Sequence, residues 1–351
     1  MKLSLQIILA LLCALLILVI PFSVPSPNMV SEVKYDMMTG DGGDEEDEGE
    51  ELDFSCILFS RASAEEEELI IEDAGERPDS NGLFNEMPSY ELPMDFTVPP
   101  MPDPALFTEN GYEDESISVT LETIKNDNIW WYVARIRIAS PTQIRTATAD
   151  KKLTSNHPAS VPAMARKNNA VIALNGDNYI DNPMKTTFEY RMGQKIRSKT
   201  NKLKDILVID ENGDFHLFVK SKGIEDFKGE IVNAFTFGPA LVIDGETQKI
   251  DAEYGYNPNG KQPRSAIGQT GKLSYVMVVV SAPGDSKGAS QQELADFMQS
   301  IGCLQAYNLD GGNSAQMAFG ENAFKGARSA GERGLSDIIY FATAVPEEAR
   351  Q

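Results

Sequence analysis

A short polar segment near the C-terminus has the residue types of a ligand-binding turn. The predicted buried strand at residues 304–309 runs directly into Asp310, and residues 311–314 that follow are two glycines, an asparagine and a serine. Glycines allow a positive φ and a close approach of the backbone to a ligand. Asp310 would project from the carboxyl end of a strand, where open α/β sheets bind their ligands. Taken alone, the segment also fits a glycine-rich turn with a hydrogen-bonding aspartate.

Three further segments are polar where an apolar stretch begins or ends. Residues 175–177 (Asn-Gly-Asp) follow the apolar run at residues 170–174, and residues 237–239 (Phe-Gly-Pro) precede another apolar run. In the third segment, Arg264 is surrounded by small and apolar residues. Each segment alone is weak evidence, because Asn-Gly-Asp is typical of a turn and a single arginine is typical of a solvated surface.

The elements that must position these residues are mainly strands. Alternating apolar and polar residues predict half-buried strands in the first half of the domain, and Glu-Asn-Gly-Asp at residues 211–214 predicts a hairpin. Asp244-Gly245 repeats that hairpin pattern. The predicted strands are residues 116–123, 129–138, 170–174, 206–209, 215–219, 240–243, 273–280, 304–309 and 337–344.

One helix is predicted between the strands at residues 273–280 and 304–309. Ser290 and Glu293 have the spacing of a capping box, an apolar face follows, and Gly302 ends the helix. A strand, a helix and a strand in this order predict a right-handed crossover and a parallel pair. The predicted fold is therefore α/β (α+β), with a mixed β-sheet, flanking helices and this late crossover.

Charge divides the chain into a tail and a domain. The formal net charge is −22, but residues 1–110 contain 24 acidic and only 4 basic residues, whereas the remainder is nearly neutral. Residues 23–112 are rich in acids and proline, which predicts a disordered spacer. Residues 113–351 are then the folded domain. Neither part has the basic surface of a nucleic-acid-binding protein, so no nucleic-acid partner is expected.

The N-terminal residues 1–22 have the composition of a membrane anchor or signal segment. Residues 7–20 are uninterrupted apolar residues, and residues 3–22 are long enough to span a bilayer. An Ala-x-Ala cleavage site does not follow, which favours an uncleaved anchor over a cleaved signal. Lys2 is the nearby basic residue and places the N-terminus in the cytoplasm. We therefore expect an extracytoplasmic, membrane-anchored protein, or a secreted one if the segment is cleaved.

Five stretches of the chain together resemble the phosphodiester glycosidase family. They are AVIALNGDNY, FTFGPALVIDGE, PRSAIGQ, ELADFMQSIGCLQAYNLDGGNSAQM and GERGLSDIIYF, and the resemblance extends over about residues 115–344. Two positions depart from the family pattern. Asn313 occupies the place where members often have a third glycine, and residues 281–285 read Ser-Ala-Pro-Gly-Asp where many members have Asp-Gly-Arg.

The resemblance implies a hydrolase that cleaves the bond between the anomeric carbon of a sugar and a phosphodiester oxygen. Such chemistry uses carboxylates near the anomeric carbon and a cation on the phosphate. Asp310 is expected to be the principal carboxylate, Asp177 the second one, and Arg264 the phosphate clamp. A buried structural ion pair is the alternative role for Arg264. The resemblance further implies substrate-binding roles for Asn175, Gly176, Asn308, Gly311, Gly312, Ser314 and Arg333.

A surface polymer is the substrate that best fits an anchor and an extended spacer. We therefore expect a phosphodiester-linked glycan or cell-wall polymer as partner, besides the membrane. The alternative is a non-catalytic glycan-binding module on the same fold, which the changed Asp-Gly-Arg position would favour. A metal-dependent phosphodiesterase would need clustered ligands. Because His157 and His216 are the only histidines and neither lies in these motifs, no metal or other cofactor is expected.

Overall fold

The computed structural model describes residues 91–150, 158–177, 188–252, 254–255, 257–281, 287–328 and 333–349. The predicted anchor at residues 1–22 and residues 23–90 of the predicted spacer lie outside the described residues. Within the described ranges, neither helix has the length and apolarity needed to cross a membrane.

The described residues form nineteen strands and two α-helices. The helices are α1 (Val161–Lys167) and α2 (Gln291–Ser300). The strands are β1 (Phe107–Thr108), β2 (Gly111–Glu113), β3 (Ile117–Asn126), β4 (Ile129–Ile138), β5 (Ile144–Thr148), β6 (Ile172–Asn175), β7 (Phe188–Arg191), β8 (Gln194–Ser198), β9 (Ile206–Asp210), β10 (Phe215–Phe218), β11 (Ile231–Phe235), β12 (Ala240–Ile243), β13 (Glu246–Thr247), β14 (Arg264–Gly271), β15 (Ser274–Ser281), β16 (Gln305–Leu309), β17 (Gln316–Phe319), β18 (Asn322–Arg328) and β19 (Asp337–Phe341).

The strands form three sheets. The first has nine strands in the order β1-β2-β3-β4-β15-β14-β16-β12-β13, the second has the order β10-β9-β11-β7-β8, and the third has the order β18-β17-β6-β19-β5. The main core lies between the first sheet and the other two, and contains Met277 of β15, Leu207 of β9 and Leu174 of β6. Helix α2 covers the outer face of the first sheet, and α1 covers the third.

The strand–helix–strand unit around α2 differs from its prediction. Strands β15 and β16 are both antiparallel to β14, which lies between them, so they run in the same direction without pairing. Every strand pairing in the described ranges is antiparallel, and the predicted mixed sheet with a parallel pair is therefore wrong. The periodicity of apolar residues identifies a strand but not its neighbours in the sheet. Strand β14 precedes β15 and β16 in the chain and lies between them in the sheet, and the apolar pattern of neither strand shows this.

Several local predictions are confirmed. Strands β3 and β4 pair along their whole length, and β9 and β10 form the predicted hairpin. The capping box of α2 is present, because the Ser290 N–H donates to Glu293 Oε2 at 2.8 Å and the Glu293 N–H donates to Ser290 Oγ at 3.2 Å. The predicted apolar face of α2 is buried, and Phe297 stacks on Trp131 of β4 with ring centroids 3.9 Å apart.

The folded part begins before the expected boundary at residue 113. Residues 107–113 already form β1 and β2 at the edge of the first sheet. Further upstream, the buried guanidinium of Arg145 donates to the carbonyl oxygens of Pro93 at 2.9 Å, Asp95 at 2.6 Å and Thr97 at 3.0 Å. In addition, the Leu92 N–H donates to Thr142 Oγ1 at 3.0 Å, and Asn169 Nδ2 donates to the Pro99 carbonyl oxygen at 2.8 Å. These partners are distant in the chain, so the acid- and proline-rich composition of the segment gave no sign of order.

Candidate functional site

Asp310 lies immediately after β16, and its backbone rests on the turn that follows β6. Its N–H donates to the carbonyl oxygen of Gly176 at 3.4 Å, and its own carbonyl oxygen accepts from Asn175 Nδ2 at 2.7 Å. The Asp310 side chain is 11% exposed. The turn therefore holds the backbone of Asp310 on both sides of its Cα, while its carboxylate still reaches the surface.

Asn175 connects this turn to the neighbouring strands. Its Oδ1 accepts from Ser265 Oγ of β14 at 2.7 Å and from the backbone N–H of Gln316 of β17 at 3.2 Å. The side chain is completely buried, so these hydrogen bonds are made without competition from water. The structure thus places Asn175 against Asp310, where it orients the backbone of that residue.

Arg333 and Ser314 lie next to the Asp310 carboxylate. Arg333 Nη2 is 3.6 Å from Asp310 Oδ2, and Arg333 Nε donates to Ser314 Oγ at 2.8 Å. Gln316 Nε2 donates to the Arg333 carbonyl oxygen at 2.9 Å and anchors the backbone that carries the guanidinium. The Arg333 side chain is 36% exposed. A carboxylate and a guanidinium therefore share one partly exposed place at the end of β16, next to the buried hydroxyl of Ser314.

The two glycines after Asp310 allow a close approach to the start of β14. Gly312 has φ +57°, and its N–H donates to the Pro263 carbonyl oxygen at 2.8 Å. A Cβ on Gly311 would lie 2.8 Å from that same oxygen. The Gly312 N–H, which was expected to bind the substrate, is therefore used within the fold. Asn308 is also directed away from the turn, because its Nδ2 donates to the Gly238 carbonyl oxygen at 2.7 Å.

Arg264 is buried and directed at backbone carbonyls. Its Nε donates to Ala289 at 3.0 Å, and its Nη2 donates to Asn257 and Gly260, each at 2.8 Å. Burial lowers the pKa of the Arg264 guanidinium to about 10. These contacts tie the segment before β14 to the segment before α2. Burial of Arg264 agrees with its apolar sequence setting, but these donors serve the loops and do not point to a bound phosphate.

Asp177 belongs to a buried group of charged residues behind the site. Arg191 Nη2 lies 2.6 Å from Asp337 Oδ2, 3.5 Å from Glu189 Oε1 and 4.0 Å from Asp177 Oδ2. Asp177 Oδ2 also accepts from the Thr236 N–H at 2.9 Å, and Asp177 Oδ1 has no hydrogen-bond partner in the described part of the chain.

Burial raises the pKa of the Asp177 carboxyl to about 7; Arg191 opposes the rise, and Asp337 and Glu189 add to it. Sequence reasoning missed Arg191, Glu189 and Asp337. The available signal was the presence of two charged residues within the four-residue strand β7 and of one at the start of the apolar strand β19.

The arrangement around Asp310 can bind an anion and present a carboxylate to it. A guanidinium and a hydroxyl together suit a phosphate group. Among the residues that the structure describes, no group of histidine, cysteine and acidic side chains is placed to hold a metal ion. An 820 Å³ cavity lined by Phe107, Phe319 and Phe324 lies at the other end of β17, separate from the Asp310 carboxylate.

Comparisons with known proteins identify a family for the larger part of the folded region. Residues 168–342 match the family model described as phosphodiester glycosidase. The SPbeta prophage-derived uncharacterized protein YomE of Bacillus subtilis (strain 168) is 31% identical over 108 residues, which are 30% of this chain and 17% of that protein. This chain therefore covers less than a fifth of that relative's length.

Two solved structures match part of this chain. The catalytic domain of zebrafish N-acetylglucosamine-1-phosphodiester alpha-N-acetylglucosaminidase, auto-inhibited by its pro-peptide, has a TM-score of 0.51 and 17% identity, covering 65% of this chain and 83% of that one. A hypothetical protein from Synechocystis has a TM-score of 0.45 and 14% identity, covering 64% and 62%. At these identities the likeness concerns the fold alone.

Proposed function

Because residues 168–342 belong to the phosphodiester glycosidase family, we propose that the protein hydrolyses a sugar-1-phosphodiester. The bond cleaved is the one between sugar C1 and the phosphate oxygen. The observation that carries the proposal is the grouping of Asp310 with Arg333 and Ser314, whose guanidinium and hydroxyl are 2.8 Å apart. Family membership supports a hydrolase, and this grouping supports the choice of the reacting residues.

In the proposed reaction, Arg333 and Ser314 bind the phosphate while Asp310 faces the anomeric carbon. The Asp310 carboxylate either attacks C1 or removes a proton from a water molecule that attacks it. The C1–O bond breaks, and its electron pair leaves with the phosphate oxygen. Water supplies the hydroxyl of the free sugar and the proton that the phosphomonoester gains. The anomer released first separates the two routes, because attack by Asp310 retains the configuration and attack by water inverts it.

The charge of the site suits this leaving group. A phosphate monoester is a stable anion, so the departing oxygen needs little help from a general acid. A cation on the phosphate then contributes more, because negative charge accumulates there as the bond breaks. Arg333 offers a planar guanidinium that can donate two parallel hydrogen bonds to phosphate oxygens. One carboxylate and one guanidinium are therefore enough for the proposed mechanism.

The proposed natural substrate is a sugar-1-phosphodiester within a polymer at the cell surface. This part of the proposal rests on the apolar run at residues 7–20 and on the acidic composition of residues 23–90, which suit an anchor and an extended spacer. The name of the zebrafish relative makes N-acetylglucosamine the first sugar to test.

The test is to incubate the purified protein with UDP-N-acetylglucosamine and simple sugar-1-phosphodiesters and to identify the products. Release of free sugar together with a phosphomonoester supports the glycosidase. Release of an alcohol together with a sugar phosphate would instead show a phosphodiesterase and overturn the proposal. Binding of a surface glycan with no product from any substrate would favour the glycan-binding module, for which the sequence at residues 281–285 is the supporting observation.

A further inference from the structure

The turn at residues 175–177 is held between two aspartates. On one side it carries the backbone of Asp310. On the other side, the Gly176 N–H donates to the Asp337 carbonyl oxygen at 3.0 Å, and the Asp177 N–H donates to Asp337 Oδ1 at 3.2 Å. Any movement of Asp337 is therefore passed to Asp310 through a single peptide turn.

Arg191 fixes the orientation of the Asp337 carboxylate. Its Nε and Nη2 donate to Asp337 Oδ2 at 3.0 and 2.6 Å, which leaves Oδ1 directed at the turn. Arg191 is itself completely buried, lies over the ring of Phe235 at 4.3 Å, and donates to the carbonyl oxygen of Tyr190 at 2.9 Å. The guanidinium thus has little freedom to follow a displaced carboxylate.

Among the residues that the structure describes, the charges around Asp177 balance only when that residue is protonated. The described groups that face it are Arg191 and Glu189 of β7 and Asp337 of β19, and Arg197 of β8 pairs with Glu189. With neutral Asp177, two carboxylates face two guanidinium groups. With ionised Asp177, the buried group carries one excess negative charge, and Asp177 competes with Asp337 for Arg191 Nη2. Because Asp177 Oδ1 has no hydrogen-bond partner in the described residues, burial of the ionised carboxylate costs free energy.

We propose that Asp177 is a positioning residue whose ionisation loosens the turn at residues 175–177 and so displaces Asp310, making the site active at acidic to neutral pH and inactive at alkaline pH. The proposal rests on the proposed role of Asp310. It extends that role by giving the site a built-in response to pH. Because the pKa of the Asp177 carboxyl is about 7, the response falls close to neutrality.

Hydrogen exchange of the Asp310 amide in the full-length protein tests the proposal without needing a substrate. The Asp310 N–H bonds to Gly176, so its protection, relative to the unfolded-chain rate at each pH, reports on the turn. We expect protection to fall by about tenfold or more between pH 6 and 8 in the wild-type protein. In Asp177→Asn we expect no such fall. Constant protection in the wild type, or the same fall in Asp177→Asn, would overturn the proposal.

Two further variants test the pH response separately from catalysis. Glu189→Gln removes a negative charge that opposes ionisation of Asp177, so the midpoint of the exchange transition should move to lower pH. An unchanged midpoint would contradict the proposal. This test can be made even if the Asp177→Asn variant does not fold. Asp310→Asn should keep the pH-dependent exchange while losing any glycosidase activity. If the protein has no glycosidase activity, the pH dependence of the amide exchange can still be measured. If the amide exchange does not depend on pH, a measured glycosidase activity still stands.

Discussion

Gly176 and Asp337 touch so closely that no side chain fits between them: a Cβ on residue 176 would lie 2.3 Å from Asp337 Oδ1. Real Cβ atoms do not approach an oxygen so closely, and the contact with Arg191 at 2.6 Å opposes displacement of the carboxylate. The turn that supports Asp310 is therefore specified by a glycine for reasons of space, not of backbone conformation.

Gly176→Ala is expected to destabilise the protein and displace Asp310. Overpacking of this kind typically costs about 1–3 kcal/mol, which urea unfolding would measure. Gly271→Ala is the matched control, because a Cβ there meets nothing within 4 Å. If both variants unfold at the same urea concentration as the wild type, the close contact at Gly176 is not a constraint.

Asp310→Asn is expected to abolish turnover and leave the fold unchanged. Loss of a catalytic carboxylate reduces the rate by about 10²–10⁴-fold, while the amide can keep similar contacts with its neighbours. The measurement is kcat on a sugar-1-phosphodiester, with circular dichroism as the check on folding. Asp226→Asn, an exposed aspartate, serves as control. A wild-type rate in Asp310→Asn would reject Asp310 as the reacting carboxylate.

Arg333→Lys is expected to impair catalysis although the charge is retained. Lysine cannot form the two parallel hydrogen bonds that a guanidinium makes with a phosphate, and it would lose the geometry of the contact with Ser314. We expect kcat/KM to fall by about 10- to 100-fold, given that hydrogen bonds to charged groups contribute roughly 1.5–3 kcal/mol. Arg264→Lys is the comparison: a loss of kcat/KM confined to that variant, with an unchanged circular dichroism spectrum and urea midpoint, would assign the phosphate to Arg264.

Asp177→Asn is expected to change how stability depends on pH. The pKa of Asp177 is about 7 in the folded protein, above the ordinary value of 3.8. The folded state therefore holds the proton more tightly, and the resulting stabilisation is complete below pH 3.8 and is lost as the pH rises through 7. At about 1.4 kcal/mol per pKa unit, the wild type should lose on the order of 2–3 kcal/mol more than Asp177→Asn between about pH 5 and 8. Urea unfolding at both pH values gives this difference; parallel behaviour of the two proteins contradicts it.

Arg145→Met is expected to release the segment before β1. The guanidinium donates to three carbonyl oxygens between Pro93 and Thr97, and a methionine fills similar space without donating. Limited proteolysis should then cut near residues 93–103 faster than in the wild type. Arg137→Met on β4, whose side chain donates to none of these three carbonyl oxygens, is the control. Equal cleavage rates in the two variants would show that other contacts hold the segment.

The local elements were predictable from sequence, whereas their assembly was not. Alternation in residues 129–138 and the Ser290–Glu293 spacing report on short-range structure, and both predictions are confirmed. The antiparallel position of β14 depends on pairing with β16, about 40 residues later in the chain. Periodicity contains no information about such partners, so the parallel pair was predicted wrongly.

The site shows the same division. The motif around Asp310 stood out because a carboxylate and glycines follow an apolar strand. The contact between Arg191 and Asp337, which are 146 residues apart, could not be inferred, because no local pattern at either residue identifies the other as its partner. Arg333 was a candidate from its matched segment, and only the structure shows that its guanidinium reaches both Asp310 and Ser314.

The side chain of Asn175 joins two sheets at the place where Asp310 is held. It bonds Ser265 of the first sheet and Gln316 of the third, residues 90 and 141 positions away in the chain. The working geometry of Asp310 consequently exists only after both sheets have closed on each other, and a half-assembled chain has no site. For the proposed hydrolase, activity would thus appear only when assembly of the two sheets is complete.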